Sequence, residues 1–119
     1  MVVKNYVAAS EVDGVGLFAG ENIDKDQIIY VFNPEVDVVM NVERIESLGP
    51  EFARFMRMYA FCEVNTMKVI ISIDNSKFMN HCEFPNTMWT FIYGWAAKNI
   101  RQGEELTCDY YSFWHEPPL

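Results

Sequence analysis

The sequence predicts a small, mainly β fold with one helical insert near residues 41–61. Three observations carry this reading. Short runs of β-branched and aromatic residues recur along the chain, with turn signals about every ten residues, as in small β-rich domains. Only one stretch has helical periodicity: Phe52, Phe55, Met56 and Tyr59 fall at i, i+3, i+4 and i+7. Finally, Ala19-x-x-Asn22-Ile23-x-x-x-Gln27 is echoed by Ala96-x-x-Asn99-Ile100-x-x-x-Glu104. Both halves of the echo read as strand, turn, strand.

In chain order, Val2 to Ala9 forms a first strand. Asp13-Gly14-Val15-Gly16 is a turn whose glycines let backbone approach a neighbour closely. Leu17 to Ala19 resumes a strand, and Asp24 to Asp26 is a polar turn. Ile28 to Phe32 is a continuous apolar run and hence a buried strand, ended by Asn33-Pro34. Val36 to Met40 is a further strand. Asn41 is placed to cap a short helix over Val42 to Ser47. Gly49 breaks it, and Pro50 opens a second helix at its favoured first position, with Glu51 beside the positive end of the dipole. Phe52, Phe55, Met56 and Tyr59 form its core face, with Arg54 and Arg57 opposite. Val69 to Ile73 is a buried strand. Trp89 to Tyr93 and Trp95 to Ala97 are strands on either side of a turn at Gly94. Glu105 to Tyr111 closes the domain, which is expected to span 1–119 as one unit.

Composition narrows the function. Nine Lys and Arg against 17 Asp and Glu give a net charge of −8, which argues against nucleic acid or an anionic membrane and favours a basic partner. Cys62, Cys82 and Cys108 are odd in number, with no C-x-x-C, so reduced intracellular thiols are expected and no metal site. No secretory leader is visible, and no apolar run approaches the roughly 20 residues of a membrane span.

The densest chemistry lies in Asp74 to Asn86, D-N-S-K-F-M-N-H-C-E-F-P-N. It holds a lysine, an Asn-His pair, a thiol and a Pro-Asn turn between two apolar runs. Three segments then line up: G-V-G at 14–16, K-F-M-N-H-C-E-F-P-N at 77–86 and G-E-E-L-T-C-D-Y at 103–110. Together they resemble the SET domain of protein lysine methyltransferases, especially its minimal viral and bacterial members. The resemblance covers nearly the whole chain, since the F-A-x-x-x-I and A-A-K-N-I stretches also fit.

The resemblance implies a β-clip-like fold of short curved sheets with a knot-like C-terminal threading. It implies S-adenosylmethionine as cofactor and a lysine of a basic, histone-like protein as substrate. By position, Gly14, Val15 and Gly16 lie against the cofactor through their backbone, and Asn80 and His81 hold its amino-acid and adenine ends. Tyr110 is the catalytic tyrosine. Tyr59 and Phe32 are candidates for the lysine channel with Cys108, and Trp114 or Phe113 is a candidate to stack on adenine. Chemically, lysine has an ordinary pKa near 10.4 and must lose a proton before it can accept a methyl group. An aromatic channel disfavours its charged form and aligns it. Tyr110 is thus an orienter rather than a strong base.

The chain departs from the family at Lys77, for arginine, at Cys82-Glu83, for Ser-Cys, and at Cys108, for the usual tyrosine or phenylalanine. The small Cys108 leaves room for higher methylation states. The departures also motivate an alternative, a SET-fold binding module with little catalysis. Pairing of two copies and an intracellular setting, cytoplasmic or in a host nucleus, complete the expectations.

Overall fold

The computed structural model describes residues 1–63 and 66–112. Among the described residues, ten short strands form three sheets. The first sheet contains β1 (Asn5–Ala9), β2 (Val15–Ala19), β10 (Glu105–Cys108) and β7 (Asn80–His81), in that order. The second is β3 (Ile28–Val31), β9 (Tyr93–Ala96) and β8 (Thr87–Trp89). The third is β4 (Val38–Asn41), β6 (Lys68–Ile71) and β5 (Phe61–Glu63). Two helices, α1 (Val42–Glu46) and α2 (Pro50–Tyr59), cover the third sheet. β10 sits antiparallel to β2 on one side and parallel to β7 on the other. Residues after 112, on which the knot-like threading depends, lie outside the described set.

The internal echo is built into the hydrogen bonding. Ile23 and Ile100 exchange both backbone bonds, each at 2.8 Å. The Asn22 side chain accepts from Gln102 N at 2.9 Å, and that of Asn99 accepts from Lys25 N at 2.8 Å. Gly103 N donates to Ala19 O as Asp26 N donates to Ala96 O. Asp26 and Gly103 both hold positive φ, 70° and 90°. The strand after each turn, β3 or β10, pairs antiparallel with the strand before the other, β9 or β2. The two asparagines therefore serve as matched turn anchors, each satisfying a backbone donor of the other half. Two separate apolar clusters result. Leu17, Ile23, Ile29, Ile100 and Leu106 centre the first. Ile45, Ala53, Met56, Cys62 and Val69 centre the second, under the helices.

Four local expectations are corrected. The run Trp89 to Tyr93 is not one strand: Thr90 to Ile92 form a tight turn, with Thr90 N donating to Tyr93 O at 2.8 Å. Gly94 lies inside β9 instead, because a Cβ there would stand 2.9 Å from the Trp89 indole. Asn41 makes no side-chain cap bond and is the last residue of β4. On α2 the buried residues are Ala53 and Met56, while Phe52 is 63% exposed and Phe55 41%. The small Ala53 and the flexible Met56 allow close approach to the second cluster, and Phe55 turns aside to meet the Tyr59 ring at a tilt, 4.9 Å between centres. Gly49 and Pro50 open α2 as expected, Gly49 at φ 89°.

Candidate active site beside the Asn80–His81 strand

Asp74 to Asn86 is held in place by its own short-range bonds. The Asp74 carboxylate accepts from Ser76 N at 2.8 Å and caps a 3-10 turn over Asn75–Phe78. β7 follows, with Asn80 opposite Thr107 and His81 opposite Cys108. Cys82 N extends the pairing by donating to Cys108 O at 2.9 Å, so its unusual side chain leaves the backbone ladder intact. Asn86 stands in for a strand neighbour of β10: its Nδ2 donates to Glu105 O at 2.8 Å, and its Oδ1 accepts from Thr107 N at 2.9 Å. This explains why an asparagine belongs in the Pro-Asn turn, since it satisfies two half-buried backbone groups of β10.

Asn80 joins this strand to the glycine turn. Its Nδ2 lies within hydrogen-bond reach of Asp13 O, Val15 O, Ser10 Oγ and Glu105 Oε2, at 3.0 to 3.1 Å. Ser10 Oγ in turn donates to the Glu105 carboxylate at 2.7 Å. A Cβ at Gly16 would stand 2.5 Å from Glu105 Oε2, which is the close approach the glycine serves. Gly14 has φ 48° and nothing within 4 Å of a would-be Cβ. Glu105 is the clearest residue that sequence reasoning missed. In G-E-E-L it reads as part of a solvated turn, yet it opens β10 half-buried against Phe18 of β2.

His81 Nδ1 accepts the Tyr110 backbone N–H at 3.0 Å. That nitrogen therefore carries no proton, and Asp109 Oδ1, 3.7 Å away, is a neighbour rather than an ion-pair partner. The bond fixes where Tyr110 begins. The Tyr110 hydroxyl donates to Met79 O at 2.6 Å. Burial pushes its phenol well above the ordinary range, and the nearby Cys108, Asp13 and Tyr59 add to the shift. Burial likewise holds Cys108 as a thiol, with its Sγ 3.9 Å from Asn80 O.

Between the two apolar clusters lies a cavity lined by Tyr110, Cys108 and Tyr59, together with Lys77 and an aromatic wall. That wall is Tyr30, Phe61, Trp89 and Phe91. Phe32 is not part of the lining; it packs against the first cluster and contacts Phe91 at 6.2 Å between ring centres. Tyr30, two residues earlier and on the same face of the strand, takes the wall position. Its hydroxyl bonds Ser72 Oγ at 2.7 Å, and burial pushes its pKa up to about 12. Nothing in the apolar run Ile28 to Phe32 distinguishes the two aromatics by pattern. Lys77 Nζ donates to Asp74 O at 2.9 Å and lies 4.9 Å from the centre of the Phe78 ring. Trp114 and Phe113 lie outside the described residues.

Comparison with known proteins agrees with this geometry. The SET domain family matches residues 14–111. Histone-lysine N-methyltransferase trr of Drosophila melanogaster is 27% identical over 113 residues, 88% of this chain but only 5% of that protein's length. Among solved structures, a candidate histone methyltransferase of Plasmodium falciparum superposes with TM-score 0.68 at 21% identity, over 98% of this chain and all of that one. A Chaetomium thermophilum Polycomb repressive complex 2 structure, autoinhibited and bound to S-adenosylmethionine, gives TM-score 0.74 at 20% identity, over 98% of this chain and 16% of that one. With the Asn80 amide bonded to the glycine turn, β7 paired with β10, and the family matched from the glycine turn to Tyr111, this chain belongs to the SET-domain family.

Proposed function

We propose that this chain is a protein-lysine N-methyltransferase that moves a methyl group from S-adenosylmethionine to the ε-amine of a lysine in a basic, histone-like protein. One observation carries the reading: an aromatic-walled cavity lined by Tyr110, Cys108 and Met79, the last directly before Asn80, whose amide bonds the glycine turn. The chain's residues fit the cofactor. The backbone at Gly14 is open, Asn80 Oδ1 receives no hydrogen bond among the described residues, and His81 keeps its proton on Nε2. Asp13 to Gly16, Asn80 and His81 would hold the cofactor, which supplies an electrophilic methyl group on a sulfonium.

The chain's own contribution is positioning and desolvation. A lysine side chain threaded between Tyr59, Phe61 and Trp89 leaves water behind, which favours its neutral, nucleophilic form. The Tyr110 phenol stays protonated and its hydroxyl, donating to Met79 O, is held at the cavity, where a hydroxyl oxygen can contact the incoming amine. It orients the amine and does not remove the proton. Net charge of −8 favours encounter with a lysine-rich partner. The extent we propose is one domain over 1–119, acting inside the cell, with pairing of two copies through exposed sheet edges. No helix among the described residues is long and apolar enough to cross a membrane.

Labelled S-adenosylmethionine and a panel of basic proteins test the reading. Label should appear on lysine, and Tyr110→Phe should fold, bind cofactor and lose about two orders of magnitude in rate. A wild-type protein that binds the cofactor but labels nothing would instead favour the binding-module alternative.

A further inference from the structure

We propose that Glu105 is a positioning residue for the cofactor: its carboxylate fixes the side-chain amide of Asn80 so that Oδ1 faces the ligand. This rests on the cofactor assignment above. Both carboxylate oxygens accept from Ser10 Oγ, at 2.7 and 2.8 Å, and Oε2 also lies 3.1 Å from Asn80 Nδ2. Among the described residues no cationic side chain pairs with Glu105. The negative charge is answered by a hydroxyl and an amide alone. Such charge-assisted bonds are the stronger kind and tolerate only donors.

The amide has two hydrogens and is ringed by four acceptors, counting the carbonyls of Asp13 and Val15. Turning it over would set Oδ1 against the carboxylate and both carbonyls, leaving repulsion where the two amide hydrogens had acceptors. Asn80 is thereby locked with its NH2 on the turn, and its oxygen is left as the acceptor for an N–H donor such as the ammonium of an amino-acid ligand. The same carboxylate sits beneath Gly16, so it also sets the distance between the turn and β7. Ser10 completes the lock: its hydroxyl takes Val12 N at 2.9 Å while its own backbone N donates to Gly14 O. A neutral glutamine at 105 would present a competing NH2 and lose this selectivity at nearly constant shape.

Calorimetric titration of S-adenosylmethionine into wild type, Glu105→Gln and Ser10→Ala tests the proposal. The glutamine variant should bind about tenfold more weakly, and the alanine variant severalfold more weakly. In steady-state assays Glu105→Gln should raise KM for S-adenosylmethionine while kcat and the KM of the acceptor peptide hold. Affinity within twofold of wild type in either folded variant overturns the proposal and leaves the methyltransferase reading standing. Loss shared equally by kcat and both KM values also overturns it, since that marks general loosening. If Glu105→Gln does not fold, Ser10→Ala decides alone. A wild-type protein that does not bind S-adenosylmethionine overturns both readings.

Discussion

At the scale of single residues, Cys108 and Gly16 make the sharpest predictions. Cys108 is buried and lines the cavity two residues before Tyr110. A thiol is much smaller than a phenol, so the amine has space to turn after each methyl group is added. Dimethyl and trimethyl products should therefore accumulate at saturating cofactor, and Cys108→Tyr should restrict the product to monomethyl-lysine. Mass spectrometry of one good substrate peptide reads both; strict monomethylation by wild type would sink the idea. Gly16→Ala forces a methyl group into the Glu105 carboxylate and within 3.1 Å of Asn80 Nδ2. Overpacking of this kind costs about 1–3 kcal/mol, and here it should appear as weaker cofactor binding as well as a lower melting temperature. That Asn80, His81 and Tyr110 meet was legible in the sequence, because their residue types and order match one family's motif, and the structure brings them together. Glu105 and Ser10 were not, because a carboxylate in a glycine turn reads as solvated until the strand pairing shows it facing Ser10 and Asn80.

The helical insert shows why an element can be found correctly and still be oriented wrongly. The spacing of Phe52, Phe55, Met56 and Tyr59 identified a helix and the Gly49-Pro50 boundary located its start, both as observed. Periodicity reports an apolar face but carries no information on what the helix packs against. Here the neighbour is the tight cluster of Ile45, Cys62 and Val69, which admits Ala53 and Met56 and leaves no room for Phe52. Phe52→Ser should therefore change unfolding free energy by no more than about 0.5 kcal/mol, the usual surface value. Met56→Ala should cost about 2–5 kcal/mol, since the side chain is 3% exposed and a cavity would remain. Urea unfolding of both variants checks this, and comparable losses in the two would contradict the packing. The strand at Gly94 was misassigned for a related reason. A glycine required by the Trp89 ring looks, in sequence, the same as a glycine required by a turn.

At the scale of the whole molecule, two interlocked strand–turn–strand units leave their shared cavity lined with groups held in their protonated forms. Tyr30, Tyr110 and Cys108 in the lining, and Cys62 in the second cluster, all have pKa values raised by burial, ahead of any charge effect. In the unfolded chain the thiols lose protons near 9.0 and the phenols near 10.0. The folded chain resists both. Above those values the unfolded state binds fewer protons than the native one, so stability falls as pH rises. It is fully present below about pH 8 and is lost progressively as pH rises through the raised folded values. Tyr30 alone contributes a slope of up to about 1.4 kcal/mol per pH unit between its unfolded value and about 12. Urea midpoints measured from pH 7 to 11 should be flat at first and then fall with increasing steepness. The early part of the fall belongs to the thiols, so Cys108→Ala should make it shallower without altering the later part set by Tyr30 and Tyr110. A midpoint that stays constant to pH 11 would mean that these groups ionise as freely in the fold as outside it. The cavity would then be wet, and it could not strip water from an incoming lysine as the proposed chemistry requires.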